Sequence, residues 1–195
     1  MSWSDYLHTT KNKKARPLMI EALSYVTDTK NALDLGAGAL NDTRFLLEHG
    51  FTHVDAVDSN PEVSRFSADF PQQIVSIFIN RFDEFPFRDA QYDLVNAQFS
   101  LPFAGPEHIY PLLENIYSTL RVGGVFSGNF FGIEDGWSAN PKLAFLTKDM
   151  LEQTFNSDLW EVRVFNEKRE KRPTAAGEMK DWHLFDIIAI KKSIA

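Results

Sequence analysis

A chain of 195 residues in which 44% are hydrophobic and 24% charged has the make-up of one globular domain, long enough to bury a substantial core. A formal charge of -7 lacks the concentrated basic face that unspecific nucleic-acid binding needs, and no apolar run approaches bilayer length. The absence of cysteine removes thiolate nucleophiles, disulfides, zinc–cysteine sites and iron–sulfur clusters. Met1-Ser2-Trp3-Ser4-Asp5 lacks the basic-then-apolar order of a signal peptide, so the expected location is cytoplasmic. The basic clusters Lys11 to Arg16 and Lys168 to Arg172 read as solvated faces.

The expected organisation is a single domain over residues 1-195, with 1-28 as an N-terminal cap segment and helix. Between Ala15 and Val26, the positions Leu18, Met19, Leu23 and Val26 fall near helical spacing, with Pro17 tolerated in the first turn. Asn31 to Leu35 reads as a short buried strand and Thr43 to Glu48 as a helix, with Gly50 an expected left-handed cap. Asn41 and Asp42 stand where residues that cap a helix stand. A second strand covers His53 to Val57, and Pro61 opens a helix running to about Asp69.

Ile74 to Ile79 and Tyr92 to Ala97, rich in β-branched and apolar residues, give strands three and four. Ile109, Leu112, Leu113, Ile116, Tyr117 and Leu120 share one face of a helix over Glu107 to Leu120, which Gly123-Gly124 ends before a fifth strand, Val125 to Phe131. After a helix from about Thr147 to Phe155, Trp160 to Glu167 and Trp182 to Ile190 follow each other without an intervening helix, which predicts an antiparallel pair at a sheet edge. The earlier alternation of strands and helices predicts an α/β, doubly wound, mostly parallel sheet with right-handed crossovers.

The densest signal is Leu33-Asp34-Leu35-Gly36-Ala37-Gly38 followed by Val54-Asp55-Ala56-Val57-Asp58. A strand that runs into two glycines brings bare backbone close to a ligand, and a second strand ending in a carboxylate supplies acceptors for a ribose diol. Together they point to a nucleoside-cofactor site. Gly36-x-Gly38 alone also serves nicotinamide and flavin enzymes, and Leu40 stands where nucleoside-cofactor turns of either kind commonly carry a third glycine, so the loop departs from both patterns.

These pieces, with Phe85-Pro86-Phe87, Gln91-Tyr92-Asp93-Leu94-Val95 and Leu120-Arg121-Val122-Gly123-Gly124-Val125-Phe126, resemble class I S-adenosylmethionine-dependent methyltransferases over about the whole chain. Among them the chain is most similar to small stand-alone enzymes of the tellurite-resistance type, through Phe145-Leu146-Thr147 and the final strand. The resemblance implies a Rossmann-like sheet of seven strands closed by an antiparallel C-terminal hairpin, and S-adenosylmethionine as cofactor. It implies that Gly36, Ala37 and Gly38 border the methionine moiety, that Asp34 holds its ammonium directly or through water, and that Asp58 accepts both ribose hydroxyls. Ser59 and Phe82 are expected beside adenine, Asp83 or Arg81 at its polar edge, and Asn96 and Gln98 at the end of strand four, where cofactor and substrate meet.

Methyl transfer from a sulfonium is an in-line displacement, so positioning and exclusion of water carry most of the catalysis. No residue stands out as a general base, and no two histidines have metal-ligand spacing. His183 reads as a packed strand residue. Asn96-Ala97-Gln98-Phe99 in place of an Asn/Asp-Pro-Pro-aromatic run argues against exocyclic base amines, leaving a small-molecule acceptor with neither nucleic acid nor membrane as partner. Tyr6, Arg16, Phe99, Trp137 and Arg172 are the expected substrate contacts, the two arginines as anchors for an anion. A monomer or homodimer is expected. The alternatives are a cofactor-binding domain without catalysis and a nicotinamide oxidoreductase.

Overall fold

The computed structural model describes residues 3–11 and 13–193, with only the backbone described for Trp3, Ser4, Tyr6, His8 and Asp69. Helices α1 (Trp3–Thr10) and α2 (Pro17–Leu23) lead into β1 (Asn31–Leu35), α3 (Asn41–Glu48), β2 (His53–Asp58), β3 (Val75–Ile79) and β4 (Tyr92–Ala97). Then follow α4 (Ile109–Thr119), β5 (Leu120–Gly132), β6 (Phe145–Leu146), α5 (Lys148–Thr154), β7 (Trp160–Pro173) and β8 (Met179–Lys191). All strands share one sheet in the order β3-β2-β1-β4-β5-β8-β7, with β6 on the end of β5. The first five strands are mutually parallel, and β8 runs antiparallel to both β5 and β7.

Strand β4 is buried at every position because helices cover both faces of the sheet there. Side chains alternate between those faces. Leu33, Leu35, Val57 and Val95 pack with Leu112, Ile116 and Leu151 of α4 and α5, whereas Ala32, Val54 and Leu94 pack with Leu18, Met19 and Leu46 of α2 and α3. Asp34 has the parity of Ala32, so its carboxylate is aimed at the start of α3. That parity fixes the site described below.

Several elements differ from their sequence reading for local reasons. Residues Pro61–Asp69 form a 3₁₀ helix rather than an α-helix; the Ser64 and Ser67 hydroxyls donate to carbonyls three residues back, at 2.7 and 2.6 Å, and favour the tighter turn. Helix α2 starts only at Pro17, since the residue before a proline is pushed to extended backbone, and Arg16 has φ -73° and ψ 143°. The final hairpin is longer than expected, closing through Thr174 to Gly177, where Gly177 has φ +87°. The two-residue β6 is an eighth strand beyond the expected seven. At the outer edge, β7 presents Glu167, Lys168, Arg169, Glu170 and Lys171 as a run of exposed charge.

Asn41 and Asp42 do not cap α3. The N-cap position belongs to Leu40, in left-handed backbone (φ 59°, ψ 26°) with no side-chain cap, while the Asn41 amide donates instead to the Thr10 carbonyl at 2.8 Å. Leu40 tolerates this strain because its side chain is fully buried against Leu7, Ala56 and Val63. Relief of the strain by Leu40→Gly is worth about 1 to 3 kcal/mol, whereas emptying the leucine site costs about 3 to 5 kcal/mol. The variant is therefore expected to unfold at lower urea concentration than the parent; equal or greater stability would show that backbone strain outweighs packing at this turn.

Candidate cofactor and acceptor site

Above the carboxyl ends of β1, β2 and β4 lies a cleft of about 1250 Å³. A drug-sized ligand site measures about 300 to 1,000 Å³, so the cleft has room for a cofactor and a second molecule. Its floor is the turn after β1, which is tied to β2 by Gly36 N–H and Ala37 N–H donating to the Val57 carbonyl at 2.8 and 3.0 Å. Gly36 and Gly38 both have positive φ, +78° and +53°. The reason for Gly36 is nevertheless internal: a Cβ there would lie 2.3 Å from Ser100 Cβ, whose hydroxyl donates to the Leu35 carbonyl at 2.6 Å. A side chain at Gly36 would therefore meet Ser100 and an unfavourable backbone angle whether or not the cleft is filled.

At the end of β2, Asp58 Oδ2 accepts from Gly38 N–H and Oδ1 from Asn60 N–H, each at 2.9 Å. Each carboxylate oxygen retains acceptor capacity, so the fixed group can still receive two hydroxyls. Burial raises its pKa, and the two backbone donors oppose that rise. Ser59 and Phe82 line the same end of the cleft, as do Asn60 and Pro61. Arg81 and Asp83 also stand there, paired to each other at 3.0 Å, which holds the Asp83 carboxyl below its ordinary range.

Beneath the floor is a buried acidic cluster. Asp34 accepts from the Thr43 hydroxyl at 2.7 Å and from the Asn96 amide at 2.9 Å; the same amide nitrogen lies 3.3 Å from Asp42. Burial, reinforced by the Asp42 charge, pushes the Asp34 pKa up to about 7. Burial also raises Asp42, opposed chiefly by Arg16. Asp34 and Asn96 do not line the cleft but lie one layer below it, whereas Asp42 lines it. Gln98 lines it too; its amide nitrogen is bonded to Asn96 and Ser127 at 3.1 and 3.0 Å, and its buried Oε1 has no partner among the described residues.

The other end of the cleft is aromatic and cationic. Phe99, at the crest of β4, has left-handed backbone (φ 56°), an outlier for a bulky residue, and its N–H donates to Asn129 Oδ1 at 3.3 Å. Its ring has the Arg16 guanidinium 4.6 Å away and the Arg172 guanidinium 5.6 Å away. Arg172 also stacks on Trp182 at 4.5 Å, and the Trp182 indole N–H donates to the Arg172 carbonyl at 3.1 Å. Behind them the Lys180 ammonium lies 3.5, 3.7 and 4.4 Å from the ring centres of Trp182, Trp137 and Phe131 and 2.6 Å from Asp135 Oδ1. Asp135 is a hub, since Trp137 N–H and His183 N–H also donate to it at 3.0 and 3.2 Å.

Of the residues singled out in the sequence, Gly36, Ala37, Gly38, Asp58, Ser59, Phe82, Gln98, Arg16, Phe99, Trp137 and Arg172 all line this one cleft. Tyr6 lies outside the residues whose side chains are described. Asp42, Lys180 and Asp135 were missed as parts of the site. The acid two positions after Leu40 is indistinguishable in sequence from a helix cap, and nothing local marks the distant pairing of Asp135 with Lys180. His183 is buried on β8 with Glu167 at 3.0 Å, a packed strand residue as expected.

Gly36→Ala is expected to lower stability by about 2 kcal/mol or more, because overpacking and positive φ act together. Thermal unfolding checks this, and Ser100→Gly in the same chain should recover part of the loss; an unshifted melting temperature in the single variant would discard the proposed collision.

Comparison with known proteins agrees with this geometry. Residues 32–124 match the family model described as a methyltransferase domain. The carboxy-S-adenosyl-L-methionine synthase of Vibrio campbellii is 32% identical over 99 residues, covering 47% of this chain and 38% of that protein, so the match spans well under half of the relative. TehB from Haemophilus influenzae shares the fold with a TM-score of 0.78 at 17% identity, covering 98% of this chain and 68% of that one. The Burkholderia thailandensis 1,6-didemethyltoxoflavin-N1-methyltransferase, solved with 1,6-didemethyltoxoflavin and S-adenosylhomocysteine, has a TM-score of 0.69 at 23% identity, covering 91% and 78%. The glycine turn and the carboxylate ending β2 thus lie in the stretch that matches a methyltransferase domain, and the whole chain, reversed last strand included, has the fold of an S-adenosylmethionine-dependent methyltransferase.

Proposed function

We propose that the chain transfers a methyl group from S-adenosylmethionine to a small-molecule acceptor, with positioning as the main source of rate. The observation that carries this reading is the division of one cleft into a nucleoside end, built on Asp58, and an aromatic end, built on Phe99, Trp137 and Trp182. Bound across the glycine turn, the cofactor supplies an activated methyl on a sulfonium. Asp58 receives the ribose diol, Ser59 and Phe82 flank adenine, and Gly36, Ala37 and Gly38 border the methionyl chain. Asp42 faces the ammonium from the cleft wall, with Asp34 and Asn96 supporting it from beneath. Gln98, Phe99, Trp137 and Arg172 surround the acceptor, while Arg16, set against Asp42 and Phe99, stands where cofactor and acceptor meet. Such a wall aligns the nucleophile and keeps water out, which is what an in-line displacement requires.

Calorimetric titration with S-adenosylhomocysteine, with NADH as control, tests the reading. Micromolar binding of the first alone supports it, and binding of NADH alone overturns it in favour of a nicotinamide enzyme. Asp58→Ala should weaken S-adenosylhomocysteine by about 1 to 3 kcal/mol while the melting temperature stays near that of the parent, since a charged acceptor is lost. Unchanged affinity would remove Asp58 from the ribose site.

The acidic cluster makes binding depend on pH. An ammonium ligand favours ionised carboxylates, so binding drives a proton off the Asp34–Asp42 pair, and affinity should rise as pH increases through about 7. The free protein shows the opposite trend: folded Asp34 holds its proton more tightly than the unfolded chain does, so its contribution to stability falls as pH rises from 3.8 towards about 7. Asp34→Asn should flatten both profiles. Unaltered slopes in that variant would assign the titration to another group.

A further inference from the structure

We propose that the acceptor is a small organic acid with a flat apolar body, its carboxylate held by Arg172 and its body lying along Phe99, Trp137 and Trp182. This rests on the methyltransferase reading above and narrows the acceptor within it.

The aromatic end of the cleft resembles a cage for an organic cation, but that place is taken. Lys180 already lies against Trp182, Trp137 and Phe131, with its charge set against buried Asp135. A cationic acceptor would meet Lys180 from behind and Arg172 from the side. The charge beside the rings points the same way: the guanidiniums of Arg16 and Arg172 both lie over Phe99, and Arg172 lies over Trp182 as well. An anion is the ligand this wall attracts.

The two arginines divide the anions between them. The ammonium and carboxylate of an amino-acid tail sit on the same carbon, so a tail whose ammonium faces Asp42 places its carboxylate close by. The cation electrostatically coupled to Asp42 is Arg16. Arg172 lies beyond Phe99, on the hairpin, and among the described residues only its Nε is bonded, to Glu170 at 2.7 Å. Its other guanidinium nitrogens form the planar fork that matches a carboxylate. The stacking of Arg172 on Trp182 and the indole bond to its carbonyl hold that fork beside the rings. Phe99 is the partition, touched by both guanidiniums.

The test uses full-length protein saturated with S-adenosylhomocysteine, titrated with 2-naphthoate, naphthalene-2-carboxamide and 2-naphthylmethylammonium. The three probes share a body and differ in charge. The carboxylate should bind about tenfold more tightly than the amide, and the ammonium most weakly. R172Q should abolish the preference for carboxylate over amide while leaving S-adenosylhomocysteine affinity as in the parent, which also certifies the fold. R16Q should weaken S-adenosylhomocysteine but not methylthioadenosine, which lacks the amino-acid tail. Equal binding of the three probes, absence of naphthoate binding, preference for the ammonium, or a charge preference that survives R172Q would each overturn the proposal. Failure of S-adenosylhomocysteine itself to bind is read in the first titration and refutes the underlying reading instead.

Discussion

The contact between the β1 turn and the crest of β4 sets the geometry on which the cleft depends. Gly36 presses its bare Cα against Ser100, whose hydroxyl locks onto Leu35, while the two neighbouring amides are fixed to β2. Three parallel strands are thereby joined at their carboxyl ends by backbone amides and one short serine hydroxyl. The nucleoside end of the cleft is displayed from this joint: Gly38 N–H fixes Asp58, and the chain leaves β4 through Gln98 and Phe99 to reach Ser100. Hydrogen bonds within the chain fix the turn at this point, which limits the ordering that binding would require.

Two carboxylates lie beneath that joint at an electrostatic cost. Burying Asp34 beside Asp42 is unfavourable to both charges, and the structure offsets part of the cost with Thr43, Asn96 and Arg16. The ammonium of the proposed cofactor would relieve what remains of that cost. Lys180 and Asp135 show the opposite solution at the aromatic end, where opposite charges meet out of water and fix Trp137 and Trp182 against the hairpin. One end of the cleft is thus poised to change protonation, and the other is held rigid.

The sheet and most of the cleft were legible in the sequence because their signals are local. Glycines after an apolar strand, an acid ending the next strand and two consecutive strands without a helix each have a direct backbone meaning. What escaped prediction depended on distant partners. Leu40 occupies a cap position because a core pocket formed by Leu7, Ala56 and Val63 accepts its side chain, and Asn41 turns away from its own helix to reach Thr10. The serines that tighten residues 61–69 act through hydroxyl bonds that periodicity does not register. Similarly, Asp34 reads as a residue of the cleft from its position in the motif, yet its strand parity carries it below the surface and leaves Asp42 exposed there in its stead.

The outer strand β7 has a consequence for how the protein behaves in crowded solution. A fourteen-residue strand with one free edge is a template on which another extended chain could polymerise. Here the strand carries one acid followed by two bases, twice over, from Glu167 to Arg172, tied together as Arg169 to Glu167 at 2.7 Å and Arg172 to Glu170 at 2.7 Å. An incoming strand would have to strip water from each of these charges before gaining a ladder of backbone bonds. The same basic and acidic run that reads as a solvated face is thus of the kind that disfavours edge-to-edge pairing, and it lies on the very hairpin that shapes the cleft.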